Sequence, residues 1–288
     1  MRAQIIACLI PTILVSFAVQ AAVSADELVK FDSAAYVVGN LQQRLARERG
    51  EMPTGAPATT IEGYLSKPDG SGPFPAVVSL HGCDGLSENE RKGIARLMTG
   101  WGYVSLAVDS FATRGIKDAC TQLMPALMLS RQGDALGALS YLSNLPFVDP
   151  QRIAIMGASQ GGIVALEIAS THSVDLFAIP DSLVFKAAVA YYPVCSVATQ
   201  TLSIPTVILI GELDDWTPSK NCEQWMALRA GKGAPVKLVI YPGAYHAFAA
   251  PAFRDGTRYF GHWVKYDADA AQRSVLEVHD FLATELAK

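Results

Sequence analysis

The chain has 288 residues, 50% hydrophobic, 17% charged and 9% aromatic, with enough length and apolar content to bury a sizeable core. That balance excludes a disordered or fibrous protein. A formal net charge of −4 gives no electrostatic footprint for nucleic acid. Arg2 is the only charged residue before Asp26, and Ile5–Val19 between them is almost wholly apolar, followed by small residues ending at Val23-Ser24-Ala25. A basic start, a short apolar run and an A-x-A-like site together predict a secretory signal peptide over residues 1–25. The run is short for a membrane span, and no later stretch is long enough for one. The expected product is residues 26–288, exported to the periplasm or secreted, with no stable membrane insertion.

After the leader, Gln42–Pro57 is charged and then contains Gly and Pro, which predicts a solvated excursion. Beyond it, short apolar runs alternate with longer helical patterns. Predicted strands are Thr60–Leu65, Ala76–Leu80, Tyr103–Val108, Arg152–Met156, Ala187–Tyr191, Thr206–Ile210 and Lys237–Tyr241. Predicted helices are Glu88–Trp101, Ala126–Asn144, Gly161–Ser170, Ser219–Gly231 and Ala268–Leu286. Continuous Val/Ile/Leu runs suit strands covered on both faces. The alternation predicts one α/β domain, a mostly parallel central sheet with helices on both faces and right-handed crossovers. Four cysteines remain after the leader, Cys83, Cys120, Cys195 and Cys222. An even count in an exported chain favours two disulfides, with three possible connectivities. Their wide spacing and the lack of a neighbouring His argue against a metal site.

The strongest chemical signal is Gly157-Ala158-Ser159-Gln160-Gly161-Gly162, between an apolar run and a helical pattern. G-x-S-x-G in that setting is a sharp strand-to-helix turn that exposes Ser159 Oγ at the carboxyl edge of the sheet. A serine hydroxyl needs a base. His246, in Tyr-Pro-Gly-Ala-Tyr-His-Ala-Phe after the last predicted strand, stands at the same edge. The preceding strand runs into Gly211-Glu212-Leu213-Asp214-Asp215-Trp216-Thr217-Pro218, which supplies an acid. The spacing favours Asp214, with Glu212 and Asp215 as alternatives; Asp215 could instead cap the helix starting near Pro218. Ser159, Asp214, His246 is the order nucleophile, acid, base of α/β-hydrolases.

Of the other histidines, His279 and His172 lie in or after helices and read as solvated or structural. His81 reads as a local hydrogen-bonding residue at a strand end, and His262, beside Trp263, as a candidate for a pocket rim. Acyl transfer also needs oxyanion donors. The N–H of Gln160 supplies one, and the N–H of Cys83, in the glycine-flanked loop His81-Gly82-Cys83-Asp84-Gly85, is the candidate for the second. Trp216, Tyr192 and Phe248 adjoin these motifs and are candidate pocket walls.

The ordered set of His81-Gly-Cys-Asp-Gly-Leu86, Asp109-Ser-Phe-Ala-Thr-Arg-Gly115, Gly157–Gly162, Asp214–Pro218 and Tyr241–Phe248 resembles the dienelactone hydrolase family of α/β-hydrolases from about residue 60 to the end. The resemblance implies the α/β-hydrolase fold, a triad at Ser159, Asp214 and His246, and oxyanion positions at Cys83 and Gln160. Its strand order implies the pairings Cys83–Cys120 and Cys195–Cys222, which would brace the oxyanion and acid-bearing loops. The chain departs from the founding enzymes of the family. Serine replaces cysteine at the elbow, an export leader precedes the domain, and of the two arginines that hold a substrate carboxylate only Arg114 falls near its place, displaced by about one residue. Ala250 stands at the second position, with Arg254 as the nearest substitute. The expectation is therefore a serine hydrolase acting on small-molecule carboxylic esters, lactones among them, through an acyl-enzyme without metal or organic cofactor. The alternatives are an amide or thioester hydrolase on the same fold, and a non-catalytic binding protein that kept it.

Overall fold

The computed structural model describes residues 26–287 apart from 52–54, 56, 122–124, 171–175, 181 and 196–200. The signal peptide read over residues 1–25, with Cys8, and His172 lie outside the described residues. An eight-stranded sheet forms the centre. Its strands are β1 (Glu27–Asp32), β2 (Thr60–Ser66), β3 (Phe74–Leu80), β4 (Val104–Asp109), β5 (Val148–Ala158), β6 (Ala187–Tyr191), β7 (Thr206–Gly211) and β8 (Val236–Tyr241). They lie in the order β1-β2-β4-β3-β5-β6-β7-β8. The pairs β1/β2 and β2/β4 are antiparallel; every later pair is parallel. The helices are α1 (Asn40–Glu48), α2 (Glu88–Gly100), α3 (Pro125–Ser143), α4 (Gln160–Ala169), α5 (Ser219–Arg229) and α6 (Ala268–Glu285). A hairpin of β9 (Thr257–Tyr259) and β10 (His262–Val264) stands apart from the main sheet.

The apolar runs become strands because both faces are covered. All of Val207–Ile210 is fully buried, as are Ala76–Val78 and Ile153–Ile155. α2 starts where Ser87 Oγ accepts the N–H of Glu90 at 3.2 Å, and α6 where Asp267 accepts from Ala270 at 2.9 Å, both ordinary side-chain caps. Besides the β9–β10 hairpin, which the sequence reading lacks, three elements differ from it. β1 pairs along an edge that carries alternating exposed and buried residues. The excursion read over Gln42–Pro57 contains most of α1. β5 begins at Val148, four residues early, because Phe74 pairs with Val148 across an irregularity before Ala76 meets Ile153. Among the described residues no helix is long and apolar enough to cross a membrane.

Candidate active site

The parallel strands bring the turn after β5 and the loops after β3, β7 and β8 to one edge. The β5–α4 turn is tight enough to require its glycines. A Cβ on Gly157 would sit 2.2 Å from the carbonyl oxygen of Gly161, and one on Gly161 2.3 Å from that of Leu80. Between them Ser159 has φ 52° and ψ −114°, a left-handed conformation that a non-glycine residue adopts only when its surroundings hold it there. Its N–H donates to Tyr191 O at 2.9 Å, which anchors the strained residue to β6.

Ser159 Oγ lies 3.1 Å from His246 Nε2, and His246 Nδ1 lies 2.8 Å from Asp214 Oδ2. Asp214 and His246 are 4% and 3% exposed, so little solvent competes with these bonds. The carboxylate is oriented from several sides. Asp214 Oδ1 accepts the N–H groups of Trp216 and Thr217 at 3.0 and 2.8 Å. The Thr217 hydroxyl is 2.8 Å from Asp214 Oδ2 and 3.1 Å from Tyr192 O. Thr217 was not singled out in the sequence, although it stands in the acid-bearing motif. Asp215 does not cap α5, whose N-cap Pro218 has no side-chain bond. It accepts from the N–H of Trp263 at 3.2 Å and stands 3.6 Å from His262, tying the β9–β10 hairpin to the acid loop. Glu212 accepts from Gly243 N–H at 2.9 Å, away from His246.

A cleft opens beside Ser159, lined by Cys83, Ala119, Cys120, Gln160, Ile163, Val194, Trp216 and Thr217. The candidate oxyanion residues Cys83 and Gln160 thus share a cleft with Ser159. Cys83 is bonded to Cys120 and Cys195 to Cys222. The first bridge forms cleft wall, and Ala119 N–H adds a 2.7 Å bond to Cys83 O. Trp216 lies 5.0 Å from the His246 ring and is stacked on His262 at 4.9 Å and 13°, so His262 meets the cleft through Trp216 and is not itself a lining residue. Tyr259 and Phe260 of the hairpin lie 6.2 and 6.3 Å from Trp216. Sequence reasoning missed this shelf because its two strands are only three residues long.

The remaining candidates fall elsewhere. Tyr192 is buried and packs edge-on against the His246 ring at 4.8 Å. Phe248 is fully buried among Tyr191, Tyr192 and Tyr241, which is core packing. Arg114 turns away from the nucleophile. Its guanidinium forms a two-pronged pair with buried Asp134 at 2.7 and 2.8 Å and borders a different cleft with Tyr36, Leu129 and Phe177. Asp134 satisfies it there, so Arg114 is not free to hold a substrate carboxylate beside Ser159. Arg254 follows a short helical turn at Pro251–Phe253.

His81 is buried and bonds locally. Its Nδ1 donates to Gly82 O at 2.7 Å, and its Nε2 accepts Ser110 N–H at 3.3 Å. Burial, and next the charge of Arg131, push its pKa well below the usual imidazole range, so it stays neutral. Asp84, by contrast, lies close enough to His246 to interact with its charge. Its Oδ1 lies 2.9 Å, and Ser159 Cβ 4.0 Å, from the point where a Gly82 side chain would begin. Burial raises the Asp84 pKa, offset by its own backbone N–H and by His246 and Arg131.

Comparison with known proteins agrees with this architecture. The model of the dienelactone hydrolase family matches residues 61–286. Esterase FrsA of Escherichia coli is 34% identical over 136 residues, covering 44% of this chain and 29% of that protein, so the chain matches under a third of that relative. Two solved structures share the fold. A dienelactone hydrolase-like promiscuous phosphotriesterase from metagenomic libraries has a TM-score of 0.61 at 21% identity, covering 90% of this chain and 98% of that one. The propionate-bound thermophilic esterase of Thermogutta terrifontis has a TM-score of 0.60 at 17% identity, covering 79% and 90%.

Proposed function

The chain belongs to the dienelactone hydrolase family and is a carboxylic ester hydrolase, and from that premise we propose that Ser159 is its nucleophile in an acyl-enzyme mechanism. The observation that carries the reading is the continuous relay from Ser159 Oγ through His246 to Asp214, at 3.1 and 2.8 Å. His246 Nε2 takes the Ser159 proton as Oγ attacks the ester carbonyl carbon. Asp214 holds the Nδ1–H tautomer and stabilises the imidazolium. The carbonyl oxygen, now an oxyanion, accepts from the N–H groups of Cys83 and Gln160, aided by the N-terminus of α4. The imidazolium then protonates the departing alcohol, and a water activated by His246 releases the acid.

The same cleft favours neutral or cationic small-molecule esters over carboxylates. Arg114 is committed to Asp134, and the Asp84 carboxylate stands beside the nucleophile. Residues 1–25 act as a signal peptide and 26–288 as one exported domain, periplasmic or secreted. The two disulfides suit an oxidising compartment.

The test is hydrolysis of p-nitrophenyl acetate and labelling by a fluorophosphonate, with Ser159→Ala alongside. A loss of about a thousandfold or more with labelling abolished supports the reading; equal slow rates and no labelling in a folded protein overturn it. Phenyl acetate should exceed 4-acetoxybenzoate in kcat/KM. Asp84→Asn should narrow that gap by about fivefold at low ionic strength, where an exposed charge is least screened.

A further inference from the structure

The two oxyanion donors proposed above come from separate segments, the loop after β3 and the first turn of α4. One side chain touches both. Arg131, midway along α3, is fully buried. Its Nη1 donates to Gln160 Oε1 at 2.5 Å, and its Nη2 to the carbonyl of His81 at 2.5 Å. Its guanidinium carbon lies 5.3 Å from the Phe111 ring, while Nε has no hydrogen-bond partner among the described residues. Asp134, Glu90, Asp109 and Asp84 are acidic groups that attract it, and Arg114 opposes it. Asp134 itself is engaged by Arg114 in a two-pronged pair. Arg131 therefore spends both terminal nitrogens on the oxyanion elements rather than on a carboxylate.

We propose that Arg131 is a positioning residue that clamps the two halves of the oxyanion hole together. Resting on the esterase reading, the inference adds what makes the two donors converge before substrate arrives. Fixing the Gln160 side chain sets the first turn of α4. Fixing the His81 carbonyl sets the strand end from which Gly82 and Cys83 depart. Oxyanion stabilisation depends on donors that need no reorganisation during the reaction, so a clamp shared by both segments controls the rate. A buried guanidinium is a costly way to fill space, and its positive charge also attracts the developing oxyanion.

The experiment compares the wild type with Arg131→Met, Arg131→Lys and Gln160→Leu on an aryl ester and on its thionoester, in which sulfur replaces the carbonyl oxygen. Sulfur is a weak hydrogen-bond acceptor, so the oxo-to-thiono rate ratio reads the oxyanion hole, while losses in the His246 relay cancel. Losing one oxyanion donor costs about 10²–10³ in kcat. Arg131→Met should thus lower kcat on the ester by about a hundredfold with KM little changed. The oxo-to-thiono ratio should fall at least tenfold, and Lys, which keeps the charge, should restore part of it. Gln160→Leu keeps the backbone donor but frees one arm of the clamp, and should lower the ratio by an intermediate factor. If Arg131→Met does not fold, the Lys and Leu variants decide. Equal losses on both substrates, or an unchanged ratio, overturn the clamp while leaving the esterase reading intact. A wild type that hydrolyses neither substrate and is not labelled at Ser159 overturns the esterase reading, and the clamp with it.

Discussion

The two walls of the catalytic cleft use their charged groups differently. On the proposed oxyanion side, apart from the Asp84 carboxylate near Ser159 and His246, buried charges lie behind the working surface. Arg131 and Asp134 are buried with the neutral His81, Arg114 pairs with Asp134, and in the proposed mechanism the surface itself offers the N–H groups of Cys83 and Gln160, the first braced by the Cys83–Cys120 bridge. On the acid–base side, the functional side chains themselves line the site. Asp214, Thr217 and His246 meet beneath a shelf of Trp216, His262, Tyr259 and Phe260, and Phe260 is 44% exposed. Backbone donors cannot be retuned by titration or rotamer change, so the first wall only needs fixing in place. The second must pass a proton at each step and admit the substrate, so it relies on hydrogen-bonded side chains and exposed rings.

The comparison breaks most sharply at Asp214. Asp214→Asn keeps the shape but favours the wrong imidazole tautomer, and kcat should fall by about 10³–10⁴ while the thermal midpoint changes little. A loss below tenfold would mean that another carboxylate, Asp215 or Glu212, serves the base. Next come the two bridges, which enclose loops of similar length with sequence separations of 37 and 27. Removing either pair as serines should cost on the order of 3–4 kcal/mol of stability. Only Cys83→Ser with Cys120→Ser should also lower kcat, by about tenfold, because that bridge holds Cys83, the proposed oxyanion donor. Equal kcat losses from both pairs would erase the distinction between the walls. Thr217→Val removes a hydroxyl from Asp214 and Tyr192 O and should reduce kcat about fivefold to tenfold, matching the about 1–1.5 kcal/mol of one hydrogen bond. Steady-state kinetics with a folding control checks each of these.

Where sequence and structure agree, one strand or loop carries its signal within a few residues. Ala187–Tyr191 is a strand with the bounds read from the sequence, because a run of small apolar residues covered on both faces has few alternatives. The Gly157–Gly162 turn is legible because its glycines are demanded locally. The elements that escaped depend on partners far along the chain. β1 is short and charged, and is a strand because β2 lies beside it. The β9–β10 hairpin gains its place from Asp215 and Trp216, more than forty residues earlier in the chain. Arg114 illustrates the opposite error. Its motif position suggested substrate contact, but Asp134, 20 residues later on α3, captures it. Two charged residues, Arg131 and Asp134, in a largely apolar helical pattern are the available clue to that buried network.

The smallest effect tests whether the oxyanion wall also carries an acid-sensitive element. Glu90, in the first turn of α2, is pushed up to about 7 chiefly by burial, with the Asp84 charge adding to the shift and Ser87 and Arg131 opposing it. In the unfolded chain the same carboxyl titrates near 4.5. Between these values the native state holds a proton that the unfolded state has released, so folding is favoured at low pH. The contribution is full below pH 4.5 and is lost as pH rises through about 7. Gln at position 90 is neutral throughout and keeps the pairing with Ser87 typical of this helix start. Melting temperatures of wild type and Glu90→Gln should therefore coincide near pH 4.5 and separate by pH 8, the variant melting higher by about 2–4 °C, the shift that about 1 kcal/mol produces in a chain of this size. Parallel curves across that range would place the Glu90 carboxyl in an ordinary solvated setting, and the oxyanion wall would then hold its charge without any cost in stability at neutral pH.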